Sequence, residues 1–262
     1  MINVQSILGG IIMSITSRYK EGVIQLVSAI ADTQEENILR GARLCADALK
    51  NGRLINVIGP GGHSNIAVEE VLWRAGGLVH VNAILDPGTN LIHGAKRSNI
   101  VERTPGYAKA VFDSYRLTKD DVLVIVNAYG INSMTIDSAL LCRERGIKSI
   151  GITSTSFANV VPKDAPSRHP SGKSLADLVD VYIDNHLPLG DSIIGLDGME
   201  QKMGSTSTYA NCFSINLLMM YTAQLLLDEG IVPAVWQSAN MPNGDKLNKK
   251  YEDELLPKLR HL

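Results

Sequence analysis

The chain has 262 residues, 45% of them hydrophobic, enough to bury one substantial core, so a single α/β domain with helical additions is expected. A formal net charge of −2 and a pI near 6.3 exclude the basic footprint of a nucleic-acid binder and the polybasic patch of a membrane-surface protein. Cys45, Cys142 and Cys212 stand singly within helical patterns, without CxxC spacing; they imply neither a disulfide framework nor a metal knuckle, and point to a cytoplasmic protein.

Residues 1–13 (MINVQSILGGIIM) are apolar but carry no basic n-region or small-residue cleavage site and are too short to span a bilayer. They read as a ragged extension, with Met13 an alternative start. Two helices are expected next, over 14–31 and 34–50, the second from the spacing of Ile38, Ala42, Cys45, Ala46 and Leu49. Asn51-Gly52 stops it. A first buried strand, LINVI at 54–58, runs into the loop GPGGHSN at 59–65 and a helix over 65–75. A second strand covers 78–84. Residues 86–104 form a long connection without clear periodicity, of the kind that is usually functional. A helix starting at Pro105 leads to a third strand, VLVIV at 122–126, a second loop, NAYGINS at 127–133, and a helix over 133–145.

A fourth strand at 148–153 is followed by an irregular stretch, 154–173, and a fifth strand at 179–184. The polar segment NHLPLGD at 185–191 leads to GSTST at 204–208 and a long apolar helix ending near Asp228. Residues 238–245 are a loop. A charged helical pattern closes the chain over 246–260, with Pro257 ending or kinking it. Strands alternating with helices predict a parallel sheet covered on both faces. In strand order 2-1-3-4-5 the first and third strands are neighbours and their connections leave on opposite faces, so the two loops flank a crevice suited to a small polar ligand.

An anion there needs backbone N–H groups, hydroxyls and a helix N-terminus. Gly61, Gly62 and Ser64 supply these in the first loop, Asn127, Asn132 and Ser133 in the second, and Ser205, Thr206, Ser207 and Thr208 at the last core helix. A dinucleotide fold is not indicated: GxGxxG is absent, and Asp86 after the second strand sits in a turn. Walker A and HExxH spacings are absent as well, so neither cofactor nor metal is expected.

GPGGHSNIAVEE after the first strand, the Gly/Asn loop after the third and GSTST entering the final core helix resemble the sugar isomerase (SIS) domain family. The likeness extends over residues 32–251 to a bacterial branch labelled phosphoheptose isomerase, through AVEEV at 67–71, RAGGLVHVN at 74–82, SRHPSGK at 167–173 and SAN at 238–240. The resemblance implies a flavodoxin-like αβα sandwich with a five-stranded parallel sheet plus N- and C-terminal helices. It divides the chain into an extension and helix over 1–31 and one SIS domain over 32–262. It also implies a sugar phosphate as ligand and a homodimer, or dimer of dimers, with shared sites. The loop at 238–245 is a candidate to close the partner's site.

One departure stands out. SIS domains commonly place Ser-x-Ser-Gly after the third strand, where this chain has Asn127-Ala128-Tyr129-Gly130. The expected reaction is aldose–ketose isomerisation through an enediol, which needs a base and a second acid/base. The match to the family's AEE motif assigns the base to Glu70, with Glu69 the alternative. Phosphoheptose isomerases place a His on the last core helix; residues 204–228 have none, so His63 is the replacement, ahead of His93, His169 and His186. A sugar-phosphate lyase, with Glu102 or Glu200 paired with Glu70, and a non-catalytic sensor are the alternatives. Lys202 would serve in a Schiff base only if buried.

Overall fold

The computed structural model describes residues 7–8, 11–157 and 160–261. Most of the stretch expected to be a ragged start lies outside the described residues; within it, Ile7–Leu8 pairs antiparallel with Ile11–Ile12. Helix α1 then spans Ile15–Lys50 without a break. The two helices expected here are one, and the division expected at 31/32 falls inside it. The polar group that interrupts the apolar pattern is absorbed locally: the Thr33 hydroxyl donates to the Ala29 carbonyl one turn back (2.7 Å). Leu26, Ile30, Ile38, Ala42 and Cys45 then keep one continuous buried face.

Strands β1 (Ile55–Ile58), β2 (Val81–Ile84), β3 (Val122–Val126), β4 (Lys148–Thr153) and β5 (Val181–Asp184) form one parallel sheet in the order β2-β1-β3-β4-β5. The period-two alternation of β3 shows why both faces are covered. Val122, Val124 and Val126 pack with α1, α2 (Asn65–Val71) and α6 (Ser207–Asp228), whereas Leu123 and Ile125 pack with α4 (Tyr107–Tyr115) and α5 (Ser133–Arg145). This is the expected αβα sandwich, with its switch point between β1 and β3.

Helix α6 is long and apolar enough to cross a membrane. Here it is a core helix, with Ala210, Ile215, Leu218 and Leu226 buried and Gly41 of α1 packed against Leu218. The connection at 86–104, expected to be irregular, holds a 3-10 turn at Leu91–His93 and helix α3 (Ala95–Glu102). Only Ser98 of α3 is buried, so no apolar periodicity announced it. Strands β6 (Ser192–Ile194) and β7 (Met203–Ser205) form an antiparallel pair ahead of α6. Helix α2 is shorter than expected. Residues 78–80 precede β2, Leu78 bridging instead to Val235. Helix α7 (Gly244–Leu255) stops two residues before Pro257.

Candidate functional site

A cavity of about 260 Å³ opens at the C-terminal ends of β1 and β3. Loops 59–65 and 127–133 form two of its walls, and Asp191 with Ser205, Ser207 and Thr208 forms a third. The crevice expected from strand order is therefore present, and the side chains around it explain its shape.

In the first loop, Asn65 Nδ2 donates to the carbonyls of Gly61 (3.1 Å) and Thr89 (3.2 Å). The Ser98 hydroxyl of α3 donates to the same Thr89 carbonyl (2.7 Å). These bonds tie α3 to the loop and bring Glu102, at its last turn, onto the cavity wall. Gly61 has a φ of +151°, and a Cβ there would lie 2.8 Å from Glu102 Oε2, so the carboxylate's approach to the loop depends on glycine. In the second loop Asn127 works as a staple. Its Nδ2 donates to the Pro60 carbonyl of the first loop (2.9 Å), while its Oδ1 accepts from the N–H groups of Tyr129 (3.1 Å) and Gly130 (2.8 Å).

The Glu102 side chain is 15% exposed. Burial pushes its carboxyl above the ordinary range, against the weaker pull of the Arg103 charge and the Gly62 N–H. A base that holds its proton more firmly than a solvated carboxylate suits proton transfer near neutrality. Tyr129 lines the cavity with its ring tilted at 42° against that of Phe157, centroids 3.8 Å apart. Burial, and secondarily the charge of Asp191, pushes its phenol up.

Of the residues singled out in the sequence, Gly61, Gly62, His63, Ser64, Asn127 and Asn132 lie on the wall, as do Ser205, Ser207 and Thr208. Asn127 has its whole amide engaged as described, and Asn132 Nδ2 donates to the Ser167 carbonyl (2.9 Å). Ser133 and Thr206 are buried behind the surface and do not line it. The Thr206 hydroxyl donates to the Asp191 carbonyl (3.0 Å).

Glu69 and Glu70 do not line this cavity. Helix α2 turns Ala67, Val68 and Val71 into the core, which sends Glu69 to solvent and Glu70 toward α6. There Glu70 accepts from Asn216 Nδ2 (3.1 Å), pairs with Arg74 Nε (3.4 Å) and lines a separate cavity of about 70 Å³. His93 is exposed at the 3-10 turn. His169 pairs with Asp137 (3.1 Å) and His186 with the Thr33 hydroxyl (2.7 Å). None of the three reaches the cavity, nor do the exposed Glu200 and Lys202.

Sequence reasoning missed Asp191 and Tyr129, and gave Glu102 only a secondary part. Asp191 lies 15 residues before Thr206, and only the β6–β7 hairpin returns the chain to the same place. The one signal for Glu102 was that an acid ended the long connection after the second strand.

A family model described as the SIS domain matches residues 18–154. The chain is 35% identical over 230 residues to a UPF0309 protein of Halalkalibacterium halodurans, covering 88% of this chain and 93% of that one. It is 32% identical over 234 residues to a UPF0309 protein of Geobacillus thermodenitrificans, covering 89% and 92%. The solved phosphoheptose isomerase of Francisella tularensis superposes with a TM-score of 0.52 at 16% identity, over 81% of this chain and all of that one; this likeness shows a shared fold. The chain belongs to the SIS-domain family.

Proposed function

We propose that this SIS-domain protein is an aldose–ketose isomerase acting on a sugar phosphate bound in the crevice between loops 59–65 and 127–133. The observation that carries the reading is Glu102: a largely buried carboxylate on the cavity wall, its proton affinity raised by burial. It is the base that moves the proton between adjacent sugar carbons. His63, exposed at the cavity mouth, is the second acid/base, serving ring opening and protonation of the sugar oxygen. Ser64, Ser205 and Thr208 place hydroxyls on the wall that make no hydrogen bond to other side chains or backbone among the described residues; they are the donors for the ligand. Tyr129 offers a ring face for the sugar's C–H edge.

We also propose that the protein works as a homodimer through α6. That helix leaves Met220 59% and Leu227 48% exposed, with Trp73 of the segment after α2 exposed as well. A second copy covers this apolar face. Sedimentation should give twice the chain mass, and Met220→Lys should give the monomer; a wild-type chain that sediments as a monomer removes the assembly.

The test of the activity is incubation of the protein with aldose and ketose phosphates, reading products by mass and chromatography. A mass-neutral product that fails to form with Glu102→Gln supports the isomerase. Release of lactate or an amine replaces it with a lyase, and binding without turnover replaces it with a sensor.

A further inference from the structure

The N-terminus of α6 is already occupied by an anion that belongs to the protein. Asp191 Oδ1 accepts from the backbone N–H groups of Thr206 (2.8 Å) and Ser207 (2.7 Å), and Oδ2 accepts from the Ser207 hydroxyl (2.7 Å). The Thr206 hydroxyl lies 3.3 Å from Oδ1. These donors, two N–H groups and the Ser207 hydroxyl at the start of a 22-residue helix, belong to the Ser205–Thr208 run expected to hold the ligand's anion. A carboxylate so placed is held by charge-assisted hydrogen bonds and by the partial positive charge of the helix end.

The carboxylate is held without closing the cavity, since Asp191 and Ser207 both stand on its wall. Among the described residues the wall carries no Lys or Arg to balance a second anion beside the first. The backbone of Asp191 has a φ of +64°, a conformation open to glycine and tolerated by Asp. An independent sign of a polar ligand comes from the first loop. Ser64 is 6% exposed and lines the same cavity, and its hydroxyl has no protein partner among the described residues.

We propose that Asp191 is an internal competitor for the ligand's anionic group and so determines how strongly the site distinguishes a phosphorylated sugar from the free sugar. A phosphate reaches the donors of α6 only by displacing this carboxylate. A sugar with an uncharged hydroxyl at that end leaves it in place. The inference rests on the sugar-binding part of the proposed function and adds the residue that sets its charge selectivity.

The experiment is isothermal titration of the full chain with inorganic phosphate, then with a hexose 6-phosphate and the free hexose. It compares wild type with Asp191→Asn, Asp191→Gly and, as a control, Asp253→Asn on the exposed face of α7. Glycine removes the competing group and suits the positive φ. Asparagine removes the charge but keeps an oxygen to cap both N–H groups. Phosphate should bind Asp191→Gly about tenfold tighter than wild type or better, equivalent to about 1.4 kcal/mol. Asp191→Asn should fall between, with the control unchanged. The ratio of hexose phosphate to hexose affinity should rise in the same order.

Should Asp191→Gly fail to fold, Asp191→Asn decides alone. Folded variants that bind phosphate no tighter than wild type overturn the proposal. The reading is separate from turnover: loss of the isomerase assignment leaves these affinities as they are, and unchanged affinities remove Asp191 without touching Glu102.

Discussion

Glu102 and Glu70 are two glutamates on short helices, α3 and α2, that follow and precede β2 in the chain, and they differ in burial and in the cavity they face. Glu70 has a hydrogen bond from Asn216 and a guanidinium at 3.4 Å. Glu102 accepts from Asn99 Nδ2 (3.4 Å) and has a guanidinium at 3.9 Å, but it is more deeply buried, 15% exposed against 25%, and faces the larger cavity. The first arrangement engages the carboxylate away from the main cavity. The second raises its proton affinity and leaves it open to a ligand. Sequence motif favours Glu70, and position favours Glu102.

Substituting each glutamate in turn separates the two roles. Glu102→Gln should lower kcat by about 10²- to 10⁴-fold, the usual worth of a general base. Glu70→Gln should stay within about threefold of wild type. Steady-state kinetics on the same substrate reads both, and the reverse ranking would return the base to α2.

Next in size is the scaffold that creates the difference. Asn127→Ala removes one hydrogen bond between the loops and two within the second loop. Leaving those buried groups unpaired should destabilise the protein by about 2–4 kcal/mol, visible in urea unfolding, and should raise KM by separating the walls. A variant with wild-type midpoint and KM would mean that the loops are held by other means.

Much of this scaffold was legible in the sequence. The apolar runs of β1 and β3 and the glycine-containing loops after them placed the crevice, because strand order follows from alternation and connection rules. The placement of Glu102 and Asp191 was not, for identifiable reasons. Helix α3 presents one buried residue, so its hydrophobic pattern was silent, and with it went the bearing of Glu102. Asp191 meets α6 across a hairpin, a return that no local spacing encodes. The AEE match fixed Glu70 in sequence, but the rotation of a seven-residue helix decided which way it faces.

The pH dependence sharpens the contrast with a smaller effect. As the proposed base, Glu102 works only when ionised, and burial raises its pKa. The acid limb of the kcat profile should therefore lie above the ordinary carboxylate range, and Glu70→Gln should leave it in place. A limb at the value of a solvated glutamate would contradict the buried base.

The smallest effect concerns stability. A carboxyl whose pKa is raised on folding favours the folded state below its unfolded pKa, and that contribution is lost as pH rises through the folded pKa. At neutral pH, Glu102→Gln should accordingly raise Tm slightly, and the gain should vanish in acid. A Tm that falls at neutral pH would show that the ionised carboxylate is favoured in the fold.

In the proposed reaction Glu102 carries the proton. Incubating enzyme and substrate in D₂O and following the carbon next to the carbonyl by NMR tests it directly. Wild type and Glu70→Gln should wash deuterium into that position, and Glu102→Gln should leave it protonated. Exchange at the wild-type rate in Glu102→Gln would contradict the account.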